Sequence, residues 1–226
     1  PLFYISASCI RMDMMMNLAI TASLVLFFLV YDNKIKKTPV TISMIYIFIG
    51  LGIYMKGPAG IIIPLLVIIS FLAVEKNLKY LKEINFAGGM GIVVLMMVLW
   101  LFPVWTAGGS EYINMLLVKE TVGRSINAVE HKRPFFYYLT LLLPILFQWF
   151  LIMTGTCIYF WKKKRMLSKL EKFMLIWFLG TLIFFSIVSS KLWIYLLPMA
   201  FPMAVLMGIY LDDGENKPTK YRAVSR

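Results

Sequence analysis

The chain has 226 residues, of which 61% are hydrophobic and 15% are charged, and its mean hydropathy is +0.81. Together with repeated apolar runs of membrane-spanning length, this composition excludes an ordinary soluble domain and indicates a multi-pass membrane protein. The net charge of +12 does not indicate nucleic-acid binding, because the basic residues occupy short connections between apolar runs, which is a sign of membrane topology.

Seven apolar runs predict an all-α bundle of about seven transmembrane helices. A helix needs about 20 residues to cross a hydrocarbon core of about 30 Å, and run 60–74 is the shortest of the seven. In chain order the runs cover residues 14–30, 40–55, 60–74, 84–105, 135–161, 173–189 and 192–211.

The basic residues predict the orientation of this bundle. Of the 23 basic residues, 16 lie after the first, third and fifth runs or in the C-terminal tail. By the positive-inside rule these segments are cytoplasmic, which places the N-terminus and the loop 106–134 outside. The prediction is therefore a transmembrane domain over residues 1–211 and a cytoplasmic tail over 212–226. If the helices on either side of Lys56 or of Lys191 formed a re-entrant hairpin, the other connections would still lie on the same sides of the membrane. The positive-inside rule alone therefore does not place those two lysines outside.

Charged residues from distant parts of the sequence collect on the predicted outer face. Each one alone has an ordinary interpretation as a solvated or snorkelling helix cap. Together they are unusual, because the positive-inside rule predicts few basic residues in short outer connections. The set comprises Arg11, Asp13, Lys56, Glu120, Arg124, Glu130, His131, Lys132, Arg133 and Lys191.

Lys56 lies in the helix break KGPAG. Pro58 near a helix start is expected to leave neighbouring N–H groups pointing outward, and a lysine beside such amides makes an anion site. The simpler interpretation is a turn with a snorkelling lysine.

The long loop carries two further patterns. The stretch EYINMLLVKETVGRSIN predicts a short helix at the membrane interface. The aromatic residues FFYY at 135–138 form a belt, which is expected to hold residues 130–133 at the depth of the lipid headgroups.

Four motifs in this order carry a family resemblance: RMD at a helix start, KGP in a helix break, ETVGR followed by EHKRPFFYYL, and SKLWIYLLPMAFPMA. The chain resembles the integral-membrane glycosyltransferases of the protein mannosyltransferase and aminoarabinose transferase superfamily, which have the C-type fold. The resemblance implies transfer of a sugar from a polyprenyl-phosphate donor to a lipid or protein acceptor. It also implies a bacterial inner membrane, with the active site facing outside the cytoplasm.

The resemblance assigns roles to the outer residues. Cations must hold the phosphate of a polyprenyl donor, whose charge grows as the sugar leaves. The expected phosphate ligands are Lys56, His131, Arg133 and Lys191, and the expected sugar-binding or site-organising residues are Arg11, Asp13, Glu120, Arg124 and Glu130. Membrane lipids are the only further partners expected, and no cofactor or metal is expected.

The chain departs from the family pattern in two places. The acidic motif of the family's first outer loop would precede residue 1, which leaves Asp13 and Glu130 as weak candidates for a catalytic carboxylate. The sequence begins PLFYISASCI without a methionine, so we expect a piece of a longer protein. Gln148 and Trp149 stand where the family often has Pro-Trp.

Two other classes compete with a transferase. A transporter or lipid flippase would place ionisable groups near the bilayer midplane or show matched broken helices. A scaffold subunit would not need the outer charged set.

Overall fold

A computed structural model describes residues 12–114, 137–138, 150–162, 167–188 and 192–215. These residues form helices and short connections, with no strand among them, so the predicted all-α class is confirmed. The elements are α1 (Met12–Tyr31), α2 (Pro39–Lys56), α3 (Ala59–Val74), α4 (Tyr80–Glu83), α5 (Phe86–Asn114), α6 (Phe150–Lys162), α7 (Lys169–Ile187), a 3-10 turn (Trp193–Leu196) and α8 (Leu197–Glu215).

Five of these segments are long and apolar enough to cross a membrane, and the chain is an integral membrane protein of the multi-pass helical class. They are Met12–Tyr31, Pro39–Lys56, Phe86–Gly109, Lys169–Ile187 and Ile194–Asp213. Two shorter apolar helices, Ala59–Val74 and Ile152–Trp161, correspond to the third and fifth predicted runs. About half of the fifth predicted run, residues 135–136 and 139–149, lies outside the described residues.

Three helix boundaries differ from those that hydropathy predicts. Helix α5 continues past Trp105, and Gly109 interrupts its helical geometry with φ 67° and ψ −175°. Helix α7 begins at Lys169 because Ser168 and Glu171 form a reciprocal capping box that satisfies two end amides. Helix α8 runs to Glu215, so the first four residues of the predicted tail are helical.

An aromatic cluster joins four helices at one end of the bundle. Its rings have centroid separations of 4.9 to 6.4 Å, in stacked, tilted and edge-to-face arrangements that aromatic pairs favour. The cluster contains Phe27, Phe28 and Tyr31 of α1, Phe71 of α3, Tyr80 of α4 and Phe173 of α7.

Two ion pairs lie at this same end, which we call the Lys37 end. Lys37 Nζ lies 2.6 Å from Glu83 Oε2, and Lys172 Nζ lies 2.8 Å from Glu75 Oε1. The hydrogen bond to Glu83 raises the pKa of Lys37 above its ordinary value. Each pair ties a connecting segment to a neighbouring helix, so the loops at the Lys37 end are fixed to the bundle.

The opposite end, which we call the Lys56 end, contains a close hairpin between α2 and α3. A Cβ added at Gly60 would lie 2.2 Å from the carbonyl carbon of Gly52, which shows that the two backbones touch there. Gly57 joins the helices with φ 76°, a conformation that glycine adopts without the penalty of a side chain. Glycines at positions 52, 57 and 60 therefore allow Lys56 to sit at a tight helix junction.

The predicted orientation has a direct test in thiol labelling of intact cells. Cysteine substituted at Lys56 should react with a membrane-impermeant maleimide added outside, whereas cysteine at the exposed Lys34 should react only after the cells are permeabilised. Native cysteines are removed from both variants. Labelling of the Lys34 variant in sealed cells, with protection of the Lys56 variant, would reverse the orientation.

Candidate functional site

Lys56 and Asp13 form an ion pair at the Lys56 end of the bundle. Lys56 Nζ donates a hydrogen bond to Asp13 Oδ1, which joins the last residue of α2 to the first turn of α1. The lysine side chain keeps 28% of its exposure, and the aspartate side chain keeps 11%. A cation in the last turn of a helix and an anion in the first turn both oppose the local helix charge, so each residue suits its position.

The ring of Tyr195 also contacts Lys56. Lys56 Nζ lies 4.6 Å from the centroid of the Tyr195 ring, within the range of a cation–π contact. Phe185 of α7 stacks against the same ring, with centroids 5.1 Å apart and an interplanar angle of 21°. The ammonium group is therefore held between a carboxylate and an aromatic ring that is itself supported by packing.

The 3-10 turn that carries Tyr195 is anchored by Tyr138. The Tyr138 hydroxyl donates to the carbonyl oxygen of Leu192 at 3.2 Å, and the Tyr195 N–H donates to the same oxygen at 3.1 Å. Tyr138 itself is completely buried. Residues 13, 56, 138 and 195 thus meet at one end of the bundle.

The Gly60 and Ile61 amides after Pro58 do not point outward, as the sequence suggested they would, because both are used in the helix junction. The Gly60 N–H donates to the Gly57 carbonyl at 3.1 Å, and the Ile61 N–H donates to the Pro58 carbonyl at 3.2 Å. These donors are used to close the helix junction because the turn is tight. The anion-binding capacity of this segment therefore depends on the Lys56 ammonium group.

The charges in the described part of the site cancel, since one lysine faces one aspartate. A bound phosphate would need further cations, or a shift of Lys56 from Asp13 toward the ligand. The structure brings Lys56 and Asp13 together, and the other predicted site residues lie outside the described residues. Those residues are Arg11, Glu120, Arg124, Glu130, His131, Arg133 and Lys191.

Sequence reasoning missed Tyr195 and Asn17. Tyr195 lies inside an apolar motif, LWIYLLP, where it resembles any lipid-facing aromatic residue. Asn17 is one helical turn after Asp13 on α1, and its side-chain oxygen is buried without a hydrogen-bond partner among the described residues. The spacing of four between Asp13 and Asn17 was a readable signal, because it places both side chains on one helix face.

The described residues contain no group of three or more histidine, cysteine, aspartate or glutamate side chains that could hold a metal ion. Their chemistry at this end is that of a paired cation, a carboxylate and an aromatic ring, which can hydrogen-bond to hydroxyl groups and, once Lys56 leaves Asp13, to an anion.

Comparisons with known proteins give consistent results. No family model matches the chain. An undecaprenyl phosphate-alpha-4-amino-4-deoxy-L-arabinose arabinosyl transferase of Yersinia enterocolitica is 28% identical over 209 residues, which is 91% of this chain and 37% of that protein. A transferase of the same name from Pseudomonas fluorescens is 29% identical over 172 residues, which is 74% of this chain and 28% of that protein.

Two solved structures have the same fold. The crystal structure of ArnT from Cupriavidus metallidurans bound to undecaprenyl phosphate superposes with a TM-score of 0.74 at 21% identity, covering 94% of this chain and 38% of that one. Its apo form gives a TM-score of 0.75. This chain spans between about a quarter and two fifths of the length of these proteins. The comparisons confirm the resemblance that the motifs indicated: this chain has the fold of the matching part of ArnT and is similar in sequence to the aminoarabinose transferases, which are C-type glycosyltransferases.

Proposed function

We propose that this chain is the donor-binding part of a membrane glycosyltransferase that uses a polyprenyl-phosphate-linked sugar. The observation that carries this proposal is the placement of Lys56, held by Asp13 and Tyr195, at the end of a bundle similar to ArnT. The similar proteins are named for transfer of aminoarabinose from undecaprenyl phosphate, which makes that donor the first to test. We place the protein in a bacterial inner membrane, with this site facing outside the cytoplasm.

The reaction gives each proposed group a task. An acceptor hydroxyl attacks the anomeric carbon of the sugar, the bond from that carbon to the phosphate oxygen breaks, and polyprenyl phosphate leaves. The phosphate gains negative charge in this step, so a cation close to its oxygens lowers the barrier. Lys56 supplies that cation, together with His131, Arg133 and Lys191, and His131 donates a hydrogen bond to the phosphate or first sugar.

The acceptor proton must move to a base within hydrogen-bond reach. Asp13 is engaged with Lys56, which makes it an orienting group more than a free base. We infer that the principal carboxylate lies in a part of the protein that this chain does not include, as the family pattern implies. We propose a lipid acceptor, by analogy with the class of transferase that the chain resembles.

The distribution of charge in the described helices favours a transferase over a transporter. Their charged residues lie in first or last turns, as Asp13, Lys56 and Glu171 do. Transporters usually place such groups near the midplane, where they bind the transported ion or substrate. The described interior instead contains neutral polar groups such as Asn17 and Thr181.

Reconstitution of the complete protein that carries this chain tests the proposal. Proteoliposomes receive undecaprenyl-phosphate aminoarabinose with a labelled sugar, together with an extract of bacterial outer-membrane lipid as acceptor. We expect label to move to the acceptor lipid while undecaprenyl phosphate is released in equal amount. If the labelled sugar stays on undecaprenyl phosphate and this lipid moves to the other leaflet of the membrane, the protein is a flippase. Label that moves to a protein would correct the acceptor class.

A further inference from the structure

Tyr138 is a buried residue that has no role in the proposed transfer reaction. Its hydroxyl donates to the Leu192 carbonyl at 3.2 Å, across 54 residues of sequence. Tyr137 packs edge-on against it with ring centroids 5.4 Å apart. A buried tyrosine hydroxyl needs a partner, and here that partner is a main-chain oxygen next to the site.

Leu192 determines where the 3-10 turn begins. It has extended geometry, with φ −117° and ψ 140°, and its carbonyl accepts the N–H of Tyr195 that closes the turn. One oxygen therefore receives two donors, one from the turn itself and one from Tyr138. Because a carbonyl oxygen has two lone pairs, both bonds can form together and fix the direction of the peptide group.

The direction of this peptide group determines the position of the Tyr195 ring. That ring lies 4.6 Å from Lys56 Nζ and is stacked against the ring of Phe185. Rotation of the Leu192 peptide would turn the first residues of the 3-10 helix and move the ring away from the ammonium group. The 3-10 turn has only four residues, and its hydrogen bonds have poorer geometry than those of an α-helix.

We propose that Tyr138 is a positioning residue for the donor-phosphate site: through the Leu192 carbonyl it holds the Tyr195 ring against Lys56. This inference rests on the proposed function, in which Lys56 binds the donor phosphate. Tyr138 follows Arg133, a predicted phosphate ligand outside the described residues, by five positions in the sequence. A single hydroxyl thereby ties the segment after the long loop to the turn before α8.

The test is Tyr138→Phe in the complete protein, which removes the hydroxyl and keeps the buried ring. We expect the KM for the lipid-phosphate donor to rise about two- to tenfold, since one hydrogen bond is lost, while the KM for the acceptor is unchanged. Tyr195→Leu should give at least as large a rise. Adding Tyr138→Phe to Lys56→Ala should cause no further rise, because the two residues act through one contact.

Tyr46→Phe is the matched control. The Tyr46 hydroxyl is also buried and donates to a main-chain oxygen, that of Ile84 at 3.1 Å, but it lies at the Lys37 end. Both variants should lose a similar amount of thermal stability, and only Tyr138→Phe should change the donor KM. Equal stability losses with an unchanged donor KM in both would show that Tyr138 is only structural.

A structural readout separates this inference from the proposed function. A cryo-EM structure of Tyr138→Phe should show the Tyr195 ring displaced from Lys56, whatever the protein transfers. A ring that keeps its place would overturn the positioning role even if Lys56→Ala abolishes donor use. Conversely, a displaced ring together with normal kinetics of Lys56→Ala would retain the positioning role and refute the phosphate assignment of Lys56.

Discussion

Lys56→Ala should lower kcat/KM for the lipid-phosphate donor by about tenfold to a hundredfold in the complete protein. Loss of one charge-assisted hydrogen bond to a phosphate corresponds to about 1.5 to 3 kcal/mol, and each 1.4 kcal/mol is a factor of ten. The same change removes the partner of Asp13, whose side chain is only 11% exposed. A weakly solvated charge without its partner is unfavourable, so some loss of thermal stability accompanies the loss of activity.

Two further variants separate these effects. Lys56→Ala combined with Asp13→Ala removes both charges and should recover stability but not donor use. Lys37→Ala makes the same substitution in an ion pair of 2.6 Å at the other end of the bundle, and should leave the donor kinetics unchanged. Full recovery of activity in the double variant would mean that Lys56 serves only to neutralise Asp13, and the phosphate assignment would then be wrong.

Gly60→Ala should give a large loss of stability for the addition of a single methyl group. The added Cβ would lie 2.2 Å from the Gly52 carbonyl carbon and 2.5 Å from the Ile53 nitrogen. Both atoms belong to the main chain of α2, which cannot rotate away as a side chain can. The hairpin must open, at a cost of about 1 to 3 kcal/mol or more. Donor use should fall as well, because the opening displaces Lys56.

Gly91→Ala in α5 is the control for this prediction. A Cβ at Gly91 meets nothing within 4 Å, so alanine should be neutral there, or stabilising by up to about 1 kcal/mol through its higher helix propensity. The measurement is the midpoint of thermal unfolding in detergent. Equal midpoints for the Gly60 and Gly91 variants would show that α2 and α3 do not touch at Gly52.

Hydropathy and charge were sufficient to predict much of this fold. The run 14–30 predicted the C-terminal end of α1 to within one residue, because the bilayer sets the length of a continuous apolar segment. The start of α7 was missed by four residues, since its capping box lies before the apolar run. The break at Gly109 was missed because glycine at that position has the same hydropathy in a straight helix and in a kinked one.

The contacts of the site were harder to predict than the spans. Charge placement correctly grouped Lys56 with Asp13, but their pairing depends on the relative heights of α1 and α2, which no sequence pattern gives. The role of Tyr195 depends on the direction of one ring, and the role of Tyr138 depends on the direction of one carbonyl. Such features arise from packing between segments more than 40 residues apart in sequence, for which local patterns have no information.

The aromatic cluster at the Lys37 end has a mechanical consequence. It clamps α1 to α3, α4 and α7 with six rings, whereas at the other end α1 is tied to its neighbours near the site by the contact of Asp13 with Lys56. Between its two ends α1 is packed as well, because Met16, Ile20 and Leu24 are buried in the core. Asp13 lies about 22 Å along the helix axis from Phe28, at the far end of this packed stretch. An anion that takes Lys56 from Asp13 therefore has to move the side chains of the first turn, because the body of the helix is held by the core.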